Sequence, residues 1–199
     1  AVRALDEGRF DLLATGFTEL PLSRLVCTYV WGLSALVVRD RSIRSVADLS
    51  LSCTGEAGAD IVLPFRGSPL DLQVRALFAR LLPGTQCRFS NQLLPETLTQ
   101  FMAGKVAAAV LPEPMPTTLE LAGHATRLCD LADMYERVQG DARSPQVGLF
   151  AAPSLQLPAD FLSQLKHSVG RSHSMLPAQR DAIAAALNIS AAVLERALP

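Results

Sequence analysis

Apolar and polar residues alternate along the chain in a pattern that predicts strands interleaved with helices. The helix predicted over residues 69–82 carries Leu70, Val74, Leu77 and Leu81 on one face, and a second short helix is predicted over residues 95–103. Alternating strands and helices indicate an α/β fold built on parallel sheets. The predicted strands, most with Gly or Pro close by, are residues 9–15, 33–39, 61–65, 86–90 and 106–111.

The pattern after Pro153 contains helices only, which predicts a helical C-terminal segment. Asn188 and Ser190 stand where a C-terminal cap and an N-cap would separate the last two helices. The predicted helices are residues 158–168, 177–187 and 190–198.

Two segments share a helix end, a glycine, a basic residue and an apolar strand. A-L-D-E-G-R-F-D-L-L-A-T begins at Ala4 and Q-F-M-A-G-K-V-A-A-A-V-L begins at Gln100, so Gly8 matches Gly104 at an offset of 96. Such junctions are common, and chance is the alternative explanation. A true repeat predicts two similar α/β lobes. The first-lobe counterparts of the strand at 61 and the helix at 69 would then precede residue 1, so we expect that lobe to lack its first strand–helix unit.

Composition narrows the classes of protein further. The chain has 199 residues, 49% of them apolar, which suffices for a sizeable core. Its 18 basic and 19 acidic residues are spread along the chain, so no basic surface for nucleic acid is expected. No apolar run reaches the ~20 residues of a membrane span.

The cysteines and histidines do not have the spacing of metal ligands. No C-x-x-C pair occurs, and His167 and His173 are too far out of phase to share a helix face. Cys53 and Cys87 fall in the same predicted lobe. They could form a disulfide or remain two free buried thiols, and the sequence leaves both alternatives open. We therefore expect neither a metal site nor a cofactor.

Four segments in chain order resemble the nitrate/sulfonate/taurine-type substrate-binding proteins of ABC importers. The likeness extends over about residues 4–187, and its segments are V-A-D-L, I-V-L-P-F-R-G-S-P-L-D-L, Q-F-M-A-G-K-V-A-A-A-V-L-P-E-P and Y-E-R-V-x-G-D-A-R-S-P-Q-V-G. The resemblance implies a type II periplasmic-binding-protein fold, in which two α/β lobes joined by two crossings enclose a ligand cleft. It departs from the family in the missing first unit and in a long loop over residues 50–60.

The resemblance also implies a division of the chain and a function. Residues 1–39 and 146–199 would form an incomplete lobe 1, and residues 40–145 would form lobe 2, with crossings near residues 39–45 and 144–149. The protein would be no enzyme: it would capture a small solute and deliver it to a membrane permease, in the periplasm or anchored on the outer side of the membrane. An incomplete sheet exposes an edge, which predicts a homodimer formed through lobe 1.

The P-F-R-G-S-P junction lies where a strand ends and a helix begins, the edge at which open α/β sheets bind ligands. Arg66 offers a forked donor for anions, Gly67 permits close approach of the backbone, and Ser68 begins the helix. Ser68 and Asp71 also spell a capping box, which would consume the same N–H groups. Both interpretations stay open. If Arg66 binds an anion, its truncation should weaken binding more than about tenfold, whereas Arg75 further along the helix should be neutral.

Two further loops lie at strand ends. In T-G-F-T-E, Thr15 and Thr18 offer hydroxyls and Gly16 offers backbone access. In P-E-P, Glu113 either faces the cleft or caps a helix that begins near Thr117. The family likeness predicts that these loops and the R-G-S turn enclose a small polar solute, neutral or anionic.

Two other classes of protein share this likeness. LysR-type effector domains have the same fold, similar length and an A-L-x-x-G-x-x-D opening. Thiamine-pyrimidine synthases also resemble the family but need an active site rich in histidine and cysteine, which the sequence does not show. The P-E-P and Y-E-R-V-x-G-D segments favour the importer proteins. The sequence encoded upstream of Ala1 would distinguish these classes: a signal peptide would indicate an importer protein, and a helix-turn-helix would indicate a regulator.

Overall fold

The computed structural model describes residues 2–16, 20–53 and 60–197, which divide into two compact units, Ala1–Ala152 and Pro153–Pro199. The strands are β1 (Leu12–Gly16), β2 (Leu25–Trp31), β3 (Ser34–Val38), β4 (Ile61–Pro64), β5 (Phe89–Gln92), β6 (Ala108–Pro112), β7 (Thr126–Asp130) and β8 (Pro145–Ala151). The helices are α1 (Val2–Asp6), α2 (Val46–Cys53), α3 (Pro69–Leu81), α4 (Leu94–Met102), α5 (Met115–Leu121), α6 (Leu131–Gln139), α7 (Phe161–Ala186) and α8 (Ala191–Ala197).

The first unit contains two sheets. One has the order β1-β8-β2 and is antiparallel, and the other has the order β5-β4-β6-β3-β7. In the larger sheet β4 runs parallel to β5 and β6, while β3 runs antiparallel to β6 and β7. The α/β fold is therefore confirmed, but the sheets are less parallel than expected, because only the two pairs that β4 makes are parallel in the described part of the chain.

The five-stranded sheet is covered on both faces. Alternate strand residues point to opposite sides, so Leu36 and Val38 pack with the core that includes α2, α3 and α6, while Val37 packs with the core of α4 and α5. Every residue of β3 is buried. This sheet carries the main core of the unit.

The two segments that repeat in the sequence have the same local backbone geometry at the helix end. Gly8 and Gly104 have φ values of 68° and 80° at the ends of α1 and α4. The next residue in each copy donates its N–H back to the matching carbonyl, from Arg9 to Ala4 at 2.8 Å and from Lys105 to Gln100 at 2.9 Å. The strands β1 and β6 that follow begin and end at equivalent positions. In both copies, a helix that ends at a left-handed glycine therefore leads into a strand.

The strand predicted at residues 33–39 was expected in lobe 1, and the structure places it as β3 inside the five-stranded sheet. The reason is burial: a strand with both faces apolar needs a sheet covered on both sides. The chain therefore leaves the first sheet at Gly32, rather than near residues 39–45, and returns where β8 begins at Pro145. The division into lobes as a whole stays a prediction.

The second unit contains one long helix and one short one. Helix α7 continues through Pro177, so the break predicted between residues 168 and 177 is wrong. Pro177 is exposed, and the carbonyl that loses its helical partner can be satisfied by water. Arg180 and Glu195 join α7 to α8 at 3.2 Å. Among the described residues, no helix has the length and apolar character needed to cross a membrane.

The cysteines of the described part are free thiols: Cys27, Cys87 and Cys129. The free thiol of Cys87 argues against the disulfide with Cys53, whose own side chain lies outside the described residues. Burial, together with the neighbouring Asp130 carboxylate, raises the pKa of Cys129 to about 11. That thiol is consequently protonated and unreactive at neutral pH.

Candidate functional site

The end of β1 meets the start of α3. A Cβ placed on Gly16 would lie 2.9 Å from both the Cδ and the Cγ of Pro69, so only glycine fits without a shift. Thr15 precedes this contact and pairs with Gly148 of β8. The T-G and S-P segments therefore adjoin, whereas Thr18 lies outside the described residues.

The turn between β4 and α3 is a fully formed helix cap. The Ser68 hydroxyl accepts from the N–H of Asp71 and donates to the carbonyl of Pro64, both at 3.2 Å. The Asp71 carboxylate accepts the N–H of Gly67 at 2.8 Å. The capping alternative is thus realised. The N–H of Leu70 has no hydrogen-bond partner within the described ranges.

Asp71 is buried, with 2% exposure, and it organises the side of α3 next to β5. Its Oδ1 accepts from Arg75 Nε at 2.8 Å and from Asn91 Nδ2 at 3.0 Å. Burial alone would raise the pKa of Asp71, but the hydrogen bonds from Asn91, Gly67 and Arg75 outweigh it and hold the pKa below its ordinary value. The carboxylate is therefore ionised and fully engaged.

Arg66 and Gly67 line a pocket of about 800 Å³ at the β5 side of α3. Arg66 is exposed and has no ion-pair partner among the described residues. Arg75 lines the same pocket, and its expected neutrality toward a solute in the cleft stays a prediction. The other lining residues are Asp71, Leu72, Phe89, Ser90 and Asn91.

Glu113 follows β6 and belongs to an internal ion-pair network. Its carboxylate, 8% exposed, accepts from Arg127 and from the Thr117 hydroxyl, the latter at 3.1 Å. Arg127 also binds Glu120 at 3.0 Å and Asp130 at 2.6 Å. Burial alone would lower the pKa of Arg127, but these carboxylates raise it above its ordinary value. Of the two sequence alternatives, the structure has Glu113 at the start of the helix that contains Thr117.

A contact that sequence reasoning missed joins α3 to the second crossing. Gln73 Nε2 donates to the carbonyl of Pro145 at 2.6 Å, and the buried Ser144 hydroxyl donates to Gln73 Oε1 at 3.0 Å. Beside it, Gln146 Nε2 donates to Ser34 Oγ at 3.1 Å. The only signal in the sequence is a glutamine next to the apolar stripe of α3, and such a residue is ordinary.

The described residues contain no group of three or more His, Cys, Asp or Glu that could hold a metal ion. What the first unit offers instead is a neutral contact between β1 and the start of α3, next to the N–H of Leu70, which has no hydrogen-bond partner in the described part of the chain. Helix starts of this kind bind anionic or polar groups.

The fold is similar to that of several solved substrate-binding proteins of ABC importers. The structure superposes on the alkanesulfonate-binding protein SsuA from Xanthomonas axonopodis pv. citri, bound to MOPS, with a TM-score of 0.63 at 19% identity. It superposes on the periplasmic aliphatic sulphonate-binding protein SsuA from Escherichia coli with a TM-score of 0.70 at 21% identity. Both alignments cover 99% of this chain and 68% of the other chain.

A third similar structure, an ABC transporter protein from Parabacteroides distasonis, has a TM-score of 0.58 at 16% identity over 87% of this chain and 58% of that one. No family model and no curated protein match the sequence. At these identities the likeness concerns the fold. The type II periplasmic-binding-protein fold implied by the sequence resemblance is thereby confirmed.

Proposed function

We propose that this protein is the solute-binding component of an ABC importer and captures a small polar solute, preferably anionic, between its two sheets. The observation that carries the proposal is the close approach of Gly16 to Pro69, which joins the end of β1 to the start of α3. The fold supports it, since its structural neighbours include proteins that bind sulfonates.

The residues proposed for the cleft are those at this meeting point. Thr15 and Gly16 would approach from the first sheet, and Thr18, which lies outside the described residues, is proposed from the sequence alone. Ser68 and the N–H of Leu70 would approach from the start of α3, where the helix dipole favours an anionic group. Binding energy would come from closing both halves around the solute, which selects the closed state. No chemical step is required, so the protein would not be an enzyme.

Arg66, Gly67 and Glu113 are proposed to support the cleft from neighbouring positions, without a place at its centre. Arg66 and Gly67 would position the start of α3 through the turn that leads to Ser68, while the Arg66 side chain lines the pocket beside β5. Glu113 would act through its network with Arg127 by fixing the end of β6. An importer protein would work with a membrane permease on the outer side of the membrane, and we propose this partner and this location for the chain.

The test is a calorimetric titration of the protein with ethanesulfonate, taurine, nitrate, glutamine and lysine. We expect saturable binding of at least one, weakened more than about tenfold by Gly16→Val, whose side chain would collide with Pro69 and displace the end of β1 from the start of α3. Gly170→Ala is the control, because nothing lies within 4 Å of that position and it belongs to helix α7, where alanine is favourable. Binding that Gly16→Val leaves unchanged would contradict the proposed place.

Self-association through lobe 1 is a separate proposal that rests on the sequence alone. Sedimentation of the protein across a range of concentrations tests it. A single species at the monomer mass of 21.3 kDa would contradict it.

A further inference from the structure

The pocket beside β5 is distinct from the cleft. Helix α3 leads from β4 outward to β5, and α4 leads back from β5 to β6, so the chain changes direction between β4 and β6. Ligands of open α/β sheets bind at that switch point. The pocket lies on the other side of β4. On α3 itself, Gln73 contacts the second crossing while Arg75 contacts β5.

Arg75 is held in place from three directions. It donates to Asp71 at 2.8 Å and to Asn91 Oδ1 at 3.1 Å, and its guanidinium carbon lies 5.0 Å from the centre of the Phe89 ring. The ring is in turn fixed edge-on by Phe78 at 5.4 Å. A guanidinium ordered before binding loses less conformational freedom when it meets an anion.

The pocket has a surplus of positive charge. Asp71 offsets one of the two guanidinium groups, and Arg66 has no ion-pair partner among the described residues. Both Asp71 oxygens already accept hydrogen bonds, Oδ1 from Arg75 and Asn91 and Oδ2 from Gly67. The carboxylate therefore has little remaining capacity to bind a cation.

Apolar surface completes the lining. Leu72 is 50% exposed, and Phe89 is half-buried at the side of the pocket. Apolar side chains beside two guanidinium groups fit a ligand with an anionic head and an apolar body. The guanidinium groups would bind the head, and burial of the body would add favourable free energy.

We propose that this pocket is a second binding site, for an organic anion whose carboxylate or sulfonate head meets Arg66 and Arg75 and whose apolar body contacts Leu72 and Phe89. The proposal goes beyond solute capture in the cleft, because it assigns a separate ligand to the opposite side of α3. It does not depend on the cleft being a solute site.

The experiment is a titration of the isotope-labelled protein with hexanesulfonate and hexanoate, followed by amide NMR, with hexyltrimethylammonium as the matched cation. We expect saturable shifts of the Gly67 and Ser90 backbone amides and of the Asn91 side-chain amide for the anions only. The Arg66 side chain makes no hydrogen bond or ion pair with the described residues, so Arg66→Gln tests the effect of its charge alone. It and Arg75→Gln should each weaken binding at least about fivefold, about 1 kcal/mol.

Arg80→Gln is the control, because Arg80 is an exposed residue of the same helix outside the pocket, and this variant should bind like the wild type. Equal shifts with the cation, or no saturation at millimolar concentration, would overturn the proposal. Shifts confined to Gly16 and Leu70 would place the anion in the cleft, which supports the proposed function and rejects the second site.

Discussion

The two sides of helix α3 are held by different kinds of contact. Toward the first sheet, Pro69 packs on Gly16, and Gln73 exchanges neutral hydrogen bonds with Ser144 and Pro145. Toward β5, the same helix carries a charged network, in which the buried Asp71 binds Arg75, Asn91 and the turn before the helix. One helix therefore joins two sheets by contacts of unequal strength.

This difference shows how one helix can be held firmly to its own sheet through charged contacts and weakly to the other sheet through neutral ones. A neutral hydrogen bond contributes about 1 kcal/mol net, because water replaces it when it breaks. Removing one member of a buried charged group costs about 3 kcal/mol or more, because the other charge stays uncompensated. A hinge motion between the sheets would break the side held by Gln73 and leave α3 attached to its own sheet.

Asp71→Ala should have the largest effect. It removes the acceptor for three hydrogen bonds at a position with 2% exposure, and we expect a loss of about 3 kcal/mol in the free energy of unfolding. Urea unfolding monitored by circular dichroism measures it. A loss below about 1 kcal/mol would show that the charged side is no stronger than the neutral one.

Asp71→Asn is the control, because it keeps an acceptor oxygen and removes the charge. The pKa of Asp71 is lowered in the folded state, so its stabilisation is present above the unfolded pKa of about 3.9 and lost as the pH falls through the folded pKa. The stability difference between wild type and Asp71→Asn should therefore narrow below about pH 4. A difference that widens on acidification would contradict this sign.

Gly16→Ala probes the neutral side by overpacking. Its methyl group would lie 2.9 Å from two ring carbons of Pro69, so we expect a loss of about 2 kcal/mol. Pro69→Ala removes those carbons, and the double variant should recover about 1 kcal/mol relative to the sum of the single changes. Strict additivity in the thermal unfolding of the four proteins would mean that the two sites do not touch.

The parts of this arrangement that the sequence predicted are local. Gly8 and Gly104 end their helices because a left-handed backbone favours glycine, and the signal lies within six residues. The capping of α3 by Ser68 follows from a serine and an aspartate three residues apart. Interactions within one turn of helix are readable because the chain itself brings the partners together.

The parts that the sequence did not predict depend on distant partners. Glu113, just after β6, pairs with Arg127, which comes 14 residues later on β7. Gln73 meets Ser144 from 71 residues away. Hydrophobic periodicity shows that a strand is buried but not which sheet accepts it. The family resemblance places residues 33–39 in lobe 1, whereas β3 lies in the five-stranded sheet. Thr18 stays a prediction, since it lies outside the described residues.

Gln73→Ala should cost less than the Gly16 variant, about 1.5 kcal/mol. It removes two neutral hydrogen bonds and leaves the Ser144 hydroxyl buried without its acceptor. Because Gly32 donates its N–H to the Ser144 carbonyl at 2.8 Å, exchange of that amide should become faster. Arg80→Ala, an exposed change on the same helix, should leave it unaffected. Unchanged exchange at Gly32 in Gln73→Ala would show that the crossing does not depend on this contact.

Arg75→Gln should have the smallest effect on stability, about 0.5–1 kcal/mol. The Arg75 side chain is 39% exposed, so solvent screens its ion pair with Asp71, and glutamine retains part of the packing on Phe89. The salt dependence then separates the two sides of α3. At ~1 M sodium chloride the difference between wild type and Arg75→Gln should shrink, because salt screens a partly exposed pair. The loss in Gln73→Ala should stay the same, because no charge is involved. Equal salt responses in the two variants would remove the distinction between a charged and a neutral side of this helix.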